Sequence, residues 1–533
     1  MRVTNMMMTT NMLNNITRNK SDMNTKFNQY ATRQKIQKPS EDPVVAIRSL
    51  KYRSNLSELK QYLDKNIQDA YSWMNITESA LTNMDELLTN MYQYCTQGSQ
   101  DTYENIDRDT IQQTMQQYKE QIYKCMNTDY AGRYVFSGYR TDTSVCYTEK
   151  TNNIEYEINE DLTFENLFQK SYVLGGATYA EGTTSDEYLS QAPTVCEAYC
   201  MNLSYNNINA LTGLTYTDAD GNVVDLSNVI DVVTSSDTSG ANTEAGEKFS
   251  PYNVKDERIT FIKDTGEIIV SADIYKKLSQ SKYISTTYTK NEFDTQDIRP
   301  EMYYDCKAYE LEVDNTGEVK RDGDGKLIRK AQEPKVYVAP ESQDVYYEVN
   351  FGQKLKVNTM ANEVLNSSLA RSMDDILNAI NAAYDTQQDI DNVELLLENN
   401  SLLDSERENL TTLKEQLKTE LVLRKSLVQE AFTNGMVAIK NTQDGTKVVN
   451  EEGSVKKISV NIALTSLGSR YTRLQLIEER LTEQETSFTE IMSNNECVDL
   501  EEAIINYNAA EQTYTASLSA ASKVVQNSLL DFL

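Results

Sequence analysis

The sequence predicts a mainly α-helical protein with a β-rich insertion in its middle. Two observations lead to this fold class. Proline and glycine, which interrupt helices, are rare towards both ends: no proline lies between positions 44 and 192 or after 340, the first glycine is Gly98 and the last is Gly468. By contrast, twelve of the nineteen glycines lie between Gly175 and Gly352. Long helices at the two ends therefore flank a turn-rich middle.

The N-terminal part of the chain predicts three helices. Apolar residues at three- and four-residue spacing indicate one helix over 6–30, a second of about ten turns over 56–95, and a shorter one over 111–126. Each has one apolar stripe, so each needs a partner helix to cover it.

The helical pattern returns after the middle segment, over 364–380, 410–428, 467–491 and 500–532. A polar insertion near 433–458 contains Asn434-Gly435 and Asp444-Gly445, two dipeptides that favour hairpin turns. We therefore expect a β-hairpin between two of these helices.

The middle segment, 141–361, has the composition of β-structure. Short β-prone runs lie at 260–262, 268–270 and 346–349. Turn sequences separate them: Asp220-Gly221-Asn222, Asp264-Thr265-Gly266, Asn315-Thr316-Gly317 and Asp322-Gly323-Asp324-Gly325. This segment holds 18 of the 34 tyrosines, which fits a binding surface but equally fits half-exposed strand positions.

These elements predict three parts. Residues 1–44 and 490–533 form terminal helices of an inner domain, residues 45–140 and 362–489 form a helical core domain, and residues 141–361 form an outer β-rich domain. The long terminal helices would pack together as a coiled-coil or bundle core.

The charge of the chain differs between its two ends. The whole chain carries a net charge of −30, which disfavours nucleic-acid and anionic-membrane binding. Residues 1–60 carry a net +7, and residues 471–533 carry a net −8. Opposite charge would select the two ends as partners while their apolar stripes hold them together, although two separately solvated helices remain an alternative. No segment is apolar enough to suggest membrane insertion.

The composition offers little for catalysis. The chain contains no histidine, which excludes Ser-His-Asp and Cys-His catalysis and His-ligated metal sites. Cys196 and Cys200 could share one helix face, but two thiols without further ligands make a poor zinc site. Asp218, Asp220 and Asn222 have calcium-loop spacing without the glycine and distant glutamate of such a loop. We expect no enzymatic activity, no metal and no cofactor, and ordinary buried thiols.

Motifs at both ends resemble those of flagellar axial proteins. The start Met1-Arg2-Val3-Thr4-Asn5, the segment 31–36, the motif Lys38-Pro39-Ser40-Glu41-Asp42-Pro43-Val44 and the run 134–143 resemble the N-terminal region of that family. The segments 467–470, 498–503 and 528–533 resemble its C-terminal region. Their order and placement make the chain similar to the flagellin-like family, and within it to the hook-associated protein 3 family at the hook–filament junction.

The resemblance implies a layered, flagellin-like subunit with a structural role in motility. It implies a junction adaptor that closes a homo-oligomeric ring, with hook-associated protein 1 on the hook side and flagellin on the filament side. It also implies an export chaperone and export through the flagellum's own type III secretion channel to the extracellular flagellum. The N-terminus has no secretory signal and would alone suggest a cytoplasmic protein, but this family is exported without a cleaved signal peptide.

In this family the terminal helices become ordered together on assembly. The last 65 residues lack glycine and proline, so they could form one helix of roughly 100 Å on assembly. We predict the assembly interface from the apolar stripes of the two terminal helices: Met6, Leu13, Ile16, Met23, Phe27, Tyr30, Leu500, Ile504, Tyr507, Tyr514, Leu518, Ala521, Val525 and Phe532.

We predict an interdomain bend in the proline-bracketed motif, at Pro39, Ser40, Glu41, Asp42 and Pro43. Ser40 or Asp42 would cap the next helix, and Pro43 would occupy its first turn, where a missing N–H costs little.

Three other functions remain open at this point. The chain could be a flagellin that forms the filament itself. It could be a flagellin-like protein with an enzymatic insertion, although the lack of histidine removes a zinc peptidase. Finally, residues 141–361 could bind a glycan or another surface.

Overall fold

A computed structural model of the protein describes most of the chain. The described residues are 5–100, 105–162, 164–176, 178–218, 221–235, 250–254, 257–281, 283–314, 318–323, 325–338, 343–365, 367–399, 402–449 and 455–530.

Long helices account for both ends of the chain. They are α1 (Asn5–Thr32), α2 (Pro43–Gln61), α3 (Ile67–Gly98), α4 (Asn105–Met126), α7 (Ser368–Leu397), α8 (Asp404–Asp444), α9 (Val460–Glu496) and α10 (Leu500–Leu530), with the short α5 (Ser185–Ser190) and α6 (Ala272–Leu278) between them. One π-helical turn, Tyr62–Asn66, joins α2 to α3, so the helical path continues from Pro43 to Gly98.

The strands lie mainly between the two helical regions. They are β1 (Asp129–Tyr130), β2 (Arg133–Tyr134), β3 (Ile154–Leu162), β4 (Leu167–Leu174), β5 (Thr194–Asn202), β6 (Ala210–Thr217), β7 (Val223–Asp225), β8 (Ile230–Val233), β9 (Ile259–Ile262), β10 (Glu267–Val270), β11 (Tyr283–Lys290), β12 (Asp305–Glu310), β13 (Lys335–Tyr337), β14 (Tyr346–Asn350), β15 (Gln353–Lys356), β16 (Thr446–Val449) and β17 (Val455–Ile458). The predicted fold class, mainly α with a β-rich insertion, is confirmed.

The described residues form two compact units. The first contains residues up to Tyr71, residues 347–355 and residues from Thr472 onward. The second contains residues 72–346 and 356–471. The three-part division predicted from the sequence, with limits at 44, 140, 361 and 490, stays a prediction.

Two sheets form the β-rich part of the second unit. One has the strand order β4-β5-β10-β9-β8, and the other has the order β13-β12-β3-β11-β6-β7. Most pairs are antiparallel, and β8 with β9 is parallel. Buried side chains of both sheets share one apolar cluster, which includes Ile158 and Ile284 from the second sheet and Phe261 and Ile268 from the first. This cluster supplies the apolar burial that stabilises the insertion.

The turn between β9 and β10 confirms one turn predicted from the sequence. Gly266 has φ of +70°, a conformation that side chains disfavour. A Cβ atom there would lie 2.1 Å from the carbonyl oxygen of Tyr205. Glycine is therefore required both by the backbone conformation and by the close approach of another segment.

The predicted hairpin near 433–458 needs correction. Asn434 and Gly435 lie inside α8, which continues to Asp444, and the hairpin comprises only β16 and β17. A Cβ atom on Gly435 would lie 2.5 Å from Cδ1 of Ile376 in α7. The glycine thus allows two helices to approach closely and does not make a turn.

A further sequence expectation also differs from the structure. Cys196 and Cys200 lie on strand β5 rather than on a helix, and all seven cysteines are free. In this structure of the single chain the C-terminal region is divided, because α9 ends at Glu496 and α10 begins at Leu500; one continuous helix on assembly stays a prediction. The Oδ1 atom of Asp499 accepts a hydrogen bond from the backbone N–H of Glu501 at 2.8 Å, so it caps a new helix at this point.

Lys170 occupies an ionic cluster between the five-stranded sheet and α7. Its Nζ atom lies 2.6 Å from Oε1 of Glu267 in β10 and 2.8 Å from Oδ1 of Asp375 in α7. Burial would raise the pKa of Glu267, but Lys170 outweighs burial and holds that pKa below its usual value. The cluster thus ties α7 to the sheet through charges that compensate one another.

Candidate assembly surface

The helices α1 and α10 lie antiparallel against each other in the first unit. Asn19 Nδ2 donates a hydrogen bond to Ser517 Oγ at 2.5 Å. Further along the helix pair, the ring centroids of Phe27 and Tyr507 lie 5.6 Å apart, and Tyr30 stacks on Tyr507 at 6.1 Å. The residue numbers rise in α1 as they fall in α10, which defines the antiparallel direction.

Small side chains occupy the buried positions on the described part of α10. Among the described side chains of α10, Ala503 and Ala510 are buried, and Ser517, the partner of Asn19, is half-buried. These three positions are seven residues apart, which is the spacing of one face in a helix pair. Sequence reasoning missed them because it followed the large apolar residues, but the seven-residue repeat of small side chains was available as a signal.

The large apolar residues of the predicted interface remain accessible. Met6 is 82% exposed, Leu13 60% and Leu518 44%, and the other exposed members are Phe27, Tyr30, Leu500 and Ile504. The half-buried members are Ile16, Met23, Tyr507, Tyr514 and Ala521. Val525 lies in α10, but its side chain is outside the part that the structure describes. Phe532 lies outside the described residues.

Another helix contact in the same unit is well buried. Leu59 and Ile67 from the α2–α3 path and Leu474 and Leu481 from α9 are all fully buried. The ion pair Lys60–Glu485, at 3.6 Å, joins α2 to α9. The first unit therefore has one well-packed helix contact, which stabilises it, and one helix pair that leaves several large apolar side chains exposed, among them Met6, Leu13 and Leu518.

The chain between α1 and α2 makes a joint with the chain between α9 and α10. Gln34 and Cys497 pair as an isolated antiparallel bridge. The backbone N–H of Val498 donates to the carbonyl oxygen of Arg33 at 3.0 Å, and the N–H of Lys35 donates to that of Glu496 at 2.8 Å. Arg33 has φ of +58°, an uncommon conformation for a residue with a side chain. The same short β-bridge thus holds both the chain between α1 and α2 and the chain between α9 and α10.

Glu496 anchors the joint to α2. The guanidinium of Arg53 donates to its two carboxylate oxygens at 2.8 and 2.6 Å, and the hydroxyl of Ser49 donates to it as well. The hydrogen bond from Arg53 is the main cause that lowers the pKa of Glu496 below its usual value. This pair joins the basic N-terminal region to the acidic C-terminal region.

The residues predicted to form an interdomain bend lie between α1 and α2, and their role as a bend between domains stays a prediction. Pro39, Ser40 and Glu41 form a turn in which the N–H of Glu41 donates to the carbonyl oxygen of Lys38 at 3.0 Å. Asp42 is the N-cap of α2: its Oδ1 accepts hydrogen bonds from the N–H groups of the two residues after Pro43, at 3.0 and 3.2 Å. Pro43 starts the helix, where its missing N–H costs nothing. Of the two capping candidates, Asp42 takes the role and Ser40 stays in the turn.

The rest of the described chain offers no metal site. No group of three or more His, Cys, Asp or Glu residues has a metal-binding arrangement within the part that the structure describes. In the same part, no helix is both long enough and apolar enough to cross a membrane.

Comparison with known proteins places the N-terminal region in a defined class. Residues 3–141 match the family model of the bacterial flagellin N-terminal helical region. In addition, 152 residues of the chain, 28% of its length, are 26% identical to flagellar hook-associated protein 3 of Escherichia coli. The match spans 47% of that relative, about half its length.

The chain therefore carries a flagellin-like helical region. Its similarity to flagellar hook-associated protein 3, a structural protein class of the bacterial flagellum, confirms the resemblance found in the terminal motifs.

Two solved structures also align with most of the chain. A candidate flagellar hook-associated protein from Vibrio parahaemolyticus aligns over 86% of this chain and all of its own, with 11% identity and a TM-score of 0.33. The flagellar junction protein FlgL from Legionella pneumophila aligns over 85% and 100%, with 11% identity and a TM-score of 0.25.

Proposed function

We propose that this protein is a structural, non-enzymatic adaptor of the bacterial flagellum that joins the hook side to the flagellin filament. It assembles into a homo-oligomeric ring through its paired N- and C-terminal helices. Hook-associated protein 1 would bind on one side of the ring and flagellin on the other. A chaperone would guide export through the flagellar channel to the extracellular structure.

One observation carries this proposal: the outward-facing apolar residues of α1 and α10. The monomer leaves Met6, Leu13 and Leu518 exposed to water. A second surface that covers these side chains would therefore gain the free energy of burying them. The well-buried contact of α2 and α3 with α9 supplies stability within the subunit, so the terminal pair is free to serve contacts between subunits.

Leu518 provides the most direct test. It is 44% exposed, and complete burial of a leucine is worth about 1.5–3 kcal/mol, so assembly should gain about 1 kcal/mol from this side chain in each subunit. Leu518→Asp should cost the monomer little and should abolish assembly, because the new carboxylate would be buried without a partner. Leu395→Asp is the matched control, since Leu395 is also exposed but lies on α7.

Electron microscopy can follow assembly directly. Purified protein is mixed with hook basal structures that carry the preceding hook-associated protein, and flagellin monomers are then added. The parent protein and the Leu395→Asp variant should cap the hook ends and support filament growth, and Leu518→Asp should do neither. Normal junctions and filaments from the Leu518→Asp variant would refute assembly through the terminal helices.

A second candidate function is the flagellin filament subunit itself. It is favoured by the match of residues 3–141 to the flagellin N-terminal region. The same microscopy separates the two functions. A flagellin would polymerise alone into long filaments, whereas a junction adaptor would cap the hook ends and form no long filament by itself.

A further inference from the structure

Lys170 contacts two carboxylates that come from different elements of the second unit. Its Nζ atom, on β4, lies 2.6 Å from Oε1 of Glu267 on β10 and 2.8 Å from Oδ1 of Asp375 on α7. Lys170 and Asp375 are 205 positions apart, and strands β5 to β15 lie between them in the sequence. The amine and the carboxyl group thus meet at the two ends of a long stretch that contains most of the β-structure.

The surroundings of these three side chains disfavour charge. Glu267 is 3% exposed, and Lys170 and Asp375 are half-buried. The ring of Tyr172 lies 5.2 Å from Nζ, and Tyr172 and Cys200 belong to an apolar cluster of the five-stranded sheet. Since moving ions out of water is costly, such a site lowers the cost of converting an ammonium and a carboxylate into two neutral groups.

The protonation of Asp375 and Lys170 follows from their neighbours. Burial raises the pKa of Asp375 above its usual value, so this carboxyl group takes up a proton more readily than an exposed aspartate does. Burial would lower the pKa of Lys170, but the charges of Glu267 and Asp375 outweigh burial and raise that pKa above its usual value. The ammonium is therefore the resting form. A free amine arises when the ammonium passes a proton to Asp375, which is sufficient for a reaction that occurs once in each molecule.

The geometry brings the amine close to the carboxyl carbon. Nζ lies 2.8 Å from Oδ1 of Asp375, and a C–O bond is about 1.2 Å long, so Cγ lies within about 4 Å of Nζ. Reacting atoms in a productive arrangement are about 3–3.5 Å apart, so a small side-chain movement suffices. Glu267 is held beside Nζ by hydrogen bonds that its carboxylate accepts from the hydroxyls of Thr265, at 3.1 Å, and Tyr172, at 3.3 Å.

We propose that Lys170 and Asp375 form an isopeptide bond within the chain, with Glu267 as the general base. The ammonium of Lys170 gives one proton to Asp375, and the free Nζ attacks Cγ of the neutral carboxyl group. Glu267 takes a second proton from Nζ and gives it to the hydroxyl group that leaves Cγ. One N–C bond forms, one C–O bond breaks and one water molecule leaves, while Glu267 returns to the carboxylate form. Freshly folded protein contains the ion pairs, and the amide accumulates from it.

Mass spectrometry of the denatured, reduced full chain tests this reaction, immediately after purification and after one week at room temperature. Lys170→Arg keeps the positive charge without the amine, and Glu267→Gln removes the base; circular dichroism verifies that both variants fold. Lys356→Arg is the matched control, because Lys356 also contacts an aspartate and a glutamate, Asp344 and Glu363. There, burial would raise the pKa of Asp344, but Lys356 outweighs burial and lowers it, so that carboxyl group stays an anion.

We expect the stored parent and the Lys356→Arg variant to weigh less than their sequences require by one water molecule, and their digests to contain a branched peptide that joins Lys170 to Asp375. Lys170→Arg and Glu267→Gln should keep their full masses. The proposal is wrong if the stored parent keeps its full mass, or if Glu267→Gln loses water as fast as the parent. It is also wrong if the loss maps to another place, such as a cyclic imide at Asp322-Gly323 or a bond made by Lys356.

Discussion

A single cysteine introduced opposite Cys497 would test whether the two ends of the chain pair. Gln34 faces Cys497 across an antiparallel bridge, and Cys497 is the exposed cysteine of the chain. Directly opposed residues in such pairs have Cα atoms about 4.5–5.5 Å apart, within the range of about 4.4–6.8 Å that a disulfide spans. We therefore expect Gln34→Cys to form a disulfide with Cys497 on mild oxidation.

The disulfide should stabilise the protein because it closes a loop of nearly the whole chain. For a loop of that length, loss of unfolded-state entropy corresponds to about 5–6 kcal/mol, and engineered disulfides often deliver less, so we expect a gain of at least about 2 kcal/mol. The urea midpoint of the oxidised variant should rise, and reductant should reverse the rise.

Two controls define this experiment. Gln34→Cys combined with Cys497→Ser should form no intramolecular crosslink on a non-reducing gel. Thr10→Cys, in the middle of the exposed N-terminal half of α1, should also leave Cys497 free, because antiparallel pairing places the two far apart. Failure of the Gln34→Cys variant to crosslink, or an oxidised form no more stable than its reduced form, would refute pairing of the chain ends at this joint.

Three more outcomes follow from the polar contacts. Folding lowers the pKa of Glu496, so the ionised carboxylate contributes its full stabilisation above the pKa of a glutamate in the unfolded chain. This stabilisation is lost as the pH falls through the lower pKa of the folded protein. Arg53→Met should therefore make the free energy of unfolding, measured in urea at several pH values, depend less on acid. Asp42→Ala should destabilise the start of α2 by about 1 kcal/mol, measured by circular dichroism during thermal unfolding. Lys170→Met should destabilise the second unit by about 3–5 kcal/mol in urea, because it leaves the buried Glu267 without its cation, and adding Glu267→Gln should restore part of that loss.

The sequence predicted the helical regions well because their signals are local. Runs without proline and with at most one glycine, with apolar residues at helical spacing, become α3, α9 and α10. The β-prone runs at 260–262 and 268–270 become β9 and β10, and the turn between them has the glycine that its conformation requires. In each case, the residues within the element are enough to determine whether it is a helix, a strand or a turn.

The errors arose where contacts between distant segments decide the structure. Asn434-Gly435 has the composition of a turn, but close packing against Ile376 makes the glycine useful inside a helix. The interruption before α10 contains neither glycine nor proline; it depends on Asp499 as a cap and on the bridge to Gln34, which is far away in sequence. Neither contact is visible in a local pattern.

The predicted interface illustrates a different limit of sequence reasoning. Apolar spacing identified one side of α1 and α10, but it could not distinguish residues that pack within the subunit from residues that stay exposed. The alanines at 503 and 510 are buried, whereas Leu13 and Leu518 remain accessible. Only the position of the partner helix separates these two groups.

This arrangement of small residues inside and large residues outside has an evolutionary consequence. Substitutions at Ser517 must be compensated within the same subunit, since its partner Asn19 is on α1 of the same chain. If the proposed assembly is correct, substitutions at Leu13 and Leu518 must instead be compensated by the surface of a neighbouring subunit. Related sequences should therefore change in two separate groups along one helix, the first covarying between α1 and α10 of one subunit and the second covarying with the surface that a neighbouring copy of the chain presents.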